Sequence, residues 1–149
     1  MRAIDATRKP PVTTAADRTL REVAGLMDRE AVGAVVVTDR DRPIGIVTDR
    51  DLVVRALARG VADDARIDSV MSTDLVMMGA TVDVREALRV FESRTFRRLP
   101  LVDAGRMVGI LTLDDLLINQ VGDLGRLTRV VTGQVVFGHP EAELPAVSG

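Results

Sequence analysis

The stretch Gly45-Ile46-Val47-Thr48-Asp49-Arg50-Asp51-Leu52 returns, 64 residues later, as Gly109-Ile110-Leu111-Thr112-Leu113-Asp114-Asp115-Leu116. The spacing holds without a gap on either side. Val12, Ala16, Arg21, Glu22, Asp39 and Arg42 meet identical residues at Val76, Ala80, Arg85, Glu86, Asp103 and Arg106. A supersecondary unit copied once cannot close its own core and stacks on its copy. The expectation is one α/β domain of two halves around a pseudo-twofold axis. With 149 residues and 46% apolar content, the two halves can bury a shared core.

The elements repeat with the phrase. Val12-Thr13-Thr14 reads as a short strand, and Thr19 three before Glu22 reads as a capping box opening a helix. Asp83 and Glu86 take the same places in the copy. Ala34 to Val37 and Ile44 to Val47 form a hairpin about Asp39-Arg40-Asp41-Arg42, repeated by Leu99 to Val102 and Met107 to Leu111. Each half is therefore β-α-β-β-α, its last helix starting after Thr48 or Thr112. The boundaries expected are a lead-in over 1–11, a first repeat over 12–60 and a linker over 61–72. A second repeat with a C-terminal helix follows over 73–137, and a disordered tail over 138–149. Ile67, Val70 and Met71 are expected to dock on the second half. Gly122 and Gly125 interrupt the last helix before Leu127, and Gln134 to Phe137 closes the ordered chain.

Thr48-x-x-Asp51 and Thr112-x-x-Asp115 fit capping boxes, which alone would explain both pairs. The same corner offers a hydroxyl and a carboxylate to a ribose diol and phosphate oxygens. Gly-hydrophobic-x-Thr-x-x-Asp, twice in register and together with Phe96-Arg97-Arg98-Leu99-Pro100-Leu101-Val102-Asp103, resembles the cystathionine-β-synthase (CBS) domain pair, or Bateman module. The resemblance covers roughly residues 10–121 and implies two CBS repeats packed with pseudo-twofold symmetry. It also implies ligand clefts between the halves, Thr48 and Asp51 serving one, Thr112 and Asp115 the other. Asp would hold the ribose hydroxyls, and strand backbone with apolar side chains the adenine. Thr14, Met71 and Met78 are candidates for that wall, with the rest of Val12 to Thr14 and Val76 to Met78. Assignment of each wall residue to one cleft stays open.

Arg97 and Arg98 have no charged counterparts, since Gly33 and Ala34 stand 64 residues earlier. In the family, such arginines often face phosphates, which a guanidinium fork suits. Solvation or pairing with nearby acids is their plain alternative. Successive strand residues face opposite ways, which favours Arg98 over Arg97.

Other chemistries find little support. A net charge of −2 and three aromatic residues argue against a nucleic-acid or membrane-surface binder. Cysteine is absent, His139 is the one histidine, and Lys9 precedes the fold, so thiol, histidine–zinc and phosphate-loop chemistry lack their residues. Asp49/Asp51 and Asp114/Asp115 do not make a magnesium cage by themselves; magnesium would come with ligand phosphates. Composition is that expected of a cytoplasmic protein, and the resemblance implies a non-catalytic regulatory module needing no cofactor. It further implies an adenosyl ligand among AMP, ADP, ATP, S-adenosylmethionine, NAD and cyclic dinucleotides, with the arginines tilting towards AMP, ADP or ATP. The partners it implies are a second copy of the chain and an effector protein of unknown identity. The competing reading is a ligand-free dimerisation scaffold whose Thr-x-x-Asp phrases only cap helices.

Overall fold

The computed structural model describes residues 1–119 and 129–132. The chain opens with one helical turn, α1 (Ala3–Ala6), and then repeats one plan twice. In the first half, β1 (Thr13–Ala15), α2 (Leu20–Glu30), β2 (Ala34–Asp39), β3 (Arg42–Thr48) and α3 (Asp49–Asp51) follow in order. In the second, β4 (Met78–Gly79), α4 (Val84–Ser93), β5 (Arg98–Asp103), β6 (Arg106–Thr112) and α5 (Leu113–Ile118) do the same. Each half holds a three-stranded sheet, β1-β2-β3 or β4-β5-β6. The first pair in each is parallel (Thr13 opposite Val36, Met78 opposite Leu101), and the hairpin is antiparallel (Val36 opposite Ile46, Pro100 opposite Ile110). β3 and β6 approach each other where the halves meet.

Local chemistry explains the helices. At α2 the Thr19 hydroxyl accepts from the Glu22 N–H, and the Glu22 carboxylate accepts from the Thr19 N–H, both at 3.1 Å. Leu20, Val23 and Met27 then bury one side of the helix. At α4 only half of the expected box forms. The Asp83 carboxylate accepts from the Arg85 N–H at 2.9 Å, while Glu86 turns to Arg89 on the next turn. The two last helices also differ. α3 is a single turn that runs into a π-helical turn, Leu52–Ala56, and a 3-10 turn, Leu57–Arg59, before Gly60 stops it with φ of 68°. α5 is an ordinary α-helix.

Two cores result. Val35, Val37, Val47 and Val23 belong to one, Leu99, Leu101, Leu111, Leu88 and Phe91 to the other, all at most 2% exposed. The segments preceding each half are exchanged between them. α1 packs Ala3 and Ala6 into the second core, and the N–H groups of Ala3 and Ile4 donate to the carbonyls of Val82 and Ala80. Ile67 and Val70 pack into the first core, with the Ile67 N–H donating to the Arg18 carbonyl at 2.7 Å. This corrects the expected docking of Ile67, Val70 and Met71 on the second half. Glycine makes the exchange possible: a Cβ on Gly109 would stand 2.8 Å from Ile4 Cδ1, and one on Gly45 would collide with the Met71 side chain. Within the expected lead-in of 1–11, residues 1–7 therefore pack as a structural part of the second half.

Both hairpins turn through two left-handed residues, Arg40 and Asp41 (φ 50° and 66°) and Ala104 and Gly105 (φ 50° and 77°), the backbone of a type I′ turn. Their tips touch, the Met107 N–H donating to the Asp41 carbonyl at 2.7 Å. The symmetric counterpart of Met107 is Pro43, which has no N–H to give. Among the described residues, this backbone hydrogen bond between the tips therefore has no counterpart on the other side of the axis. The features expected at Gly122, Gly125, Leu127, Gln134 to Phe137 and 138–149, His139 included, lie outside the described residues. Residues 129–132 are helical, and Val130 is buried in the second core.

Candidate functional site

The corner after β3 is shaped by its own backbone. The Thr48 hydroxyl accepts from the Asp51 N–H at 3.1 Å, and one Asp51 carboxylate oxygen accepts from the Thr48 N–H at 2.9 Å. The other oxygen lies 3.5 Å from Arg55 Nε. Arg55 also donates to the Val70 carbonyl at 3.2 Å, so it ties the corner to the docked linker. After β6 the arrangement repeats, with 3.0 Å from the Asp115 N–H to the Thr112 hydroxyl and 2.9 Å from the Thr112 N–H to Asp115. Asp115 is buried there, 8% exposed, and is the one charged residue in the described core. Both Thr–Asp pairs are complete capping boxes, so the two readings of the phrase are not exclusive: the carboxylate that caps also stands beside the seam.

A cleft of about 640 Å³ opens beside the first corner, between the halves. That volume lies in the range of ordinary small-molecule sites. The first half contributes Ile46, Thr48, Asp49, Arg50, Val53 and Val54, and the second contributes Asp74 to Val76, Phe96 to Arg98 and Pro100. Thr48, Arg97 and Arg98 thus meet in one place, with Val76 of the expected apolar wall. Asp51 sits one turn behind the lining. Both arginines reach the cleft because Arg97 precedes β5, so strand alternation does not separate them; its carbonyl instead accepts from the Leu113 N–H at 3.0 Å. The Arg98 side chain makes no hydrogen bond or ion pair with any described residue, while its backbone lies opposite Thr112 in the hairpin. Its guanidinium lies 3.4 Å from where a Cβ on Gly33 would be, and Asp49 lies 3.1 Å from the same point. The bare glycine lets both charged groups approach across the seam.

Met71, Met78 and Thr14 stand elsewhere. Met71 fills the space over Gly45, Met78 packs on the second core, and Thr14 lies in an open depression with Thr13, Arg18, Glu22 and Arg29. Thr112 and Asp115 form the corner on the opposite side of the axis. The sequence did not mark the other cleft residues as ligand-binding: Ile46, Asp49, Arg50, Val53 and Val54 from the first half, and Asp74, Leu75, Phe96 and Pro100 from the second. Val53 and Val54 are 55% and 41% exposed. Phe96 carried a readable signal, since it adjoins the unmatched arginines. Its ring is half-buried and packs edge-on against Phe91, 6.1 Å between centroids, leaving its free side to the cleft. Among the described residues, no group of three acidic or histidine side chains is placed to hold a metal ion. No described helix is long and apolar enough to cross a membrane.

The family model of the CBS domain matches twice, over residues 2–57 and 67–122. The chain belongs to the CBS-domain family. Each match begins at one of the exchanged segments, α1 or the turn Ile67–Ser69, and the two together make a tandem CBS pair. The CBS domain-containing protein YhcV of Bacillus subtilis is 35% identical over 111 residues, 74% of this chain and 79% of that one. Other curated relatives are longer, and the chain spans 58% of one from Methanopyrus kandleri. Hypoxic response protein 1 of Mycobacterium tuberculosis is 33% identical over 100 residues, 66% of this chain and 70% of that one. The crystal structure of Hypoxic Response Protein I with two coordinated zinc ions superposes with TM-score 0.71 at 29% identity, covering 80% of this chain and 98% of that one. A CBS domain protein of Pyrobaculum aerophilum complexed with AMP superposes with TM-score 0.71 at 26% identity, covering 89% and 99%. These matches make the chain a regulatory CBS module.

Proposed function

We propose that this CBS pair is a non-catalytic sensor that binds an adenosyl ligand at the seam between its halves and reports it to an effector protein. The observation that carries the reading is the cleft itself. It is of nucleotide size, it is walled by both halves, and it gathers Thr48, Arg97 and Arg98 beside apolar Val53, Val54, Val76 and Phe96. The AMP bound by the Pyrobaculum relative supports the same ligand class. The arginines favour AMP, ADP or ATP, and any magnesium would arrive on the phosphates. A ligand touching both halves acts by population shift, because it stabilises the relative orientation in which both walls reach it. The exposed apolar side chains on the last helices, Val53, Leu57, Leu117 and Ile118, suit a homodimer. An intracellular, cytoplasmic setting fits a ligand of this class.

A thermal-shift panel of AMP, ADP, ATP, S-adenosylmethionine and NAD tests the reading. A ligand at a hundred times its Kd adds about 2.7 kcal/mol of apparent stability. Removing the Thr48 hydroxyl with Thr48→Ala costs about 1 kcal/mol of capping and should also shrink the ligand-induced shift. Absence of any shift across the panel would leave the scaffold reading in its place.

A further inference from the structure

The far edge of the first sheet carries a second depression, which shares no residue with the cleft at the seam. In the order β1-β2-β3, β3 approaches the second half and β1 is the outer edge. A hollow of about 470 Å³ lies there between β1 and the flank of α2, bordered by Thr13, Thr14, Thr38, Arg18, Glu22 and Arg29. Two kinds of group stand open in it. The first is backbone. The Val12 carbonyl accepts from the Val36 N–H at 3.2 Å, and Thr13 stands opposite Val36. Alternation along the strand therefore turns the N–H and C=O of Thr13 outward, away from β2 and without a partner among the described residues. The second is charge. The Arg18 and Arg29 side chains make no hydrogen bond or ion pair with any described residue, whereas nearby Arg21 pairs with Asp63 and Arg66 with Asp68. Glu22, between the two arginines, is engaged in capping, its carboxylate accepting from the Thr19 N–H. Three and four residues before Arg29 stand Leu26 and Gly25, so its own helix offers it no acid there. Its Nη1 lies 3.3 Å from where a Cβ on Gly25 would be, folded back along the helix into the hollow. The positions 64 residues on from Thr13, Thr14, Arg18, Arg29 and Thr38 are Met77, Met78, Val82, Ser93 and Val102. The copy keeps neither arginine and none of the three threonines.

We propose that this edge is the docking site for an acidic segment of a partner protein, added as one more strand beside β1 with its carboxylates on Arg18 and Arg29. An unpaired strand edge is a template for another chain. Because β1 is only three residues long, its backbone offers little by itself, and the arginines carry the affinity. Each guanidinium can hold a carboxylate in a charge-assisted fork. Arg18 precedes α2 and Arg29 stands in its last turn, which sets their backbones about 16 Å apart along the axis. That run matches about five residues of extended chain and is too long for a single carboxylate or phosphate. With Glu22 between two arginines, the edge is locally positive in a chain of net charge −2. Complementary charge draws an acidic strand, and like charge turns away the same edge of a second copy. The site gives the effector a place to dock two strands from Thr48, and it does not depend on what the seam binds.

Fluorescence anisotropy of the full chain with a labelled peptide tests the proposal, the peptide alternating glutamate and threonine over about seven residues to pass both arginines. Binding is expected, weaker by about tenfold or more when glutamine replaces glutamate. Arg18→Ala and Arg29→Ala should each cost about tenfold, roughly one charge-assisted bond. A proline at the centre of the peptide, which cannot donate to a ladder, should weaken binding as well. The double variant Arg18→Glu with Arg29→Glu should lose the acidic peptide and take up its lysine counterpart, a reversal that a misfolded chain would not show. No binding of the acidic peptide, equal binding of the glutamine or proline peptide, or indifference to the double variant would overturn the proposal. A change in sedimenting mass in the double variant would make a second copy the occupant and overturn it too. None of these outcomes turns on whether AMP stabilises the chain.

Discussion

Asp83 shows how much one carboxylate does at a helix start, and where sequence reading stops. Pairing it with Glu86 by analogy with Thr19 and Glu22 gave the right helix and the wrong hydrogen bond. A short Asp side chain caps Arg85, and Glu86 finds Arg89 instead. The Arg85 N–H is the main reason that the Asp83 carboxyl is held below the usual carboxylate range; partial desolvation opposes it, and the N-terminal ammonium 3.8 Å away assists. A depressed folded pKa means stability that is fully present above the ordinary value near 3.9 and is lost as pH falls through the folded value. Urea melts should therefore show Asp83→Asn less stable than the parent at pH 6, with the gap closing as pH falls below about 4, the ordinary carboxylate value. A gap that persists at pH 2.5, below that range, would mean the cap acts through shape rather than charge. The Thr–Asp boxes, by contrast, were legible residue by residue, because a hydroxyl and a carboxylate three apart have few other local uses. The arginines were half legible: their lack of a counterpart marked them, but the alternation rule failed because Arg97 lies just outside β5.

Elements followed the repeat closely, since hydrophobic period and turn residues were copied together. Both hairpins, both sheets and α2 stand where the pattern put them. The π-helical turn after α3 was not legible, because Leu52 to Leu57 carries an apolar pattern like that of its copy in the sequence, and such a pattern does not say how the backbone closes. The linker was misread for a different reason. Ile67, Val70 and Met71 announce burial but not against which half, since both offer a glycine-floored groove of the same design. Ile67 is fully buried in the first core, beside Val70 and opposite Arg18. Ile67→Ala should thus cost about 2–5 kcal/mol, and hydrogen exchange should show the loss in β1 to β3 before β4 to β6. Earlier loss in β4 to β6 would contradict the exchange of segments.

For the whole molecule, pseudosymmetry organises the fold, and departures from it organise the site. The one-sided latch and the unmatched arginines sit on sequence positions where the copies diverge, and the cleft sets the diverged Asp49, Asp74 and Phe96 beside Ile46, Thr48 and Val76, which both copies share. That is why the fold could be read from what repeats, while the site needed the structure to bring Asp74 and Phe96 opposite Thr48. Dimerisation belongs to this scale too. Leu57 is 76% exposed on the turn that ends the first half, with Val53 beside it at 55%. Leu57→Glu should shift sedimentation from twice the chain mass towards one, without altering the far-ultraviolet circular dichroism. A parent protein that already sediments as a single chain would dismiss the dimer.

The exchanged segments also dictate how the molecule carries force. A pull on the amino terminus enters through Met1 to Thr7, which are strapped to β4, α4 and the floor at Gly109, so the tension lands on the half that comes later in the chain. The earlier half feels it only through the short tether to β1. Anything fused to or tugging at that end would strain the far lobe first, leaving the near one slack.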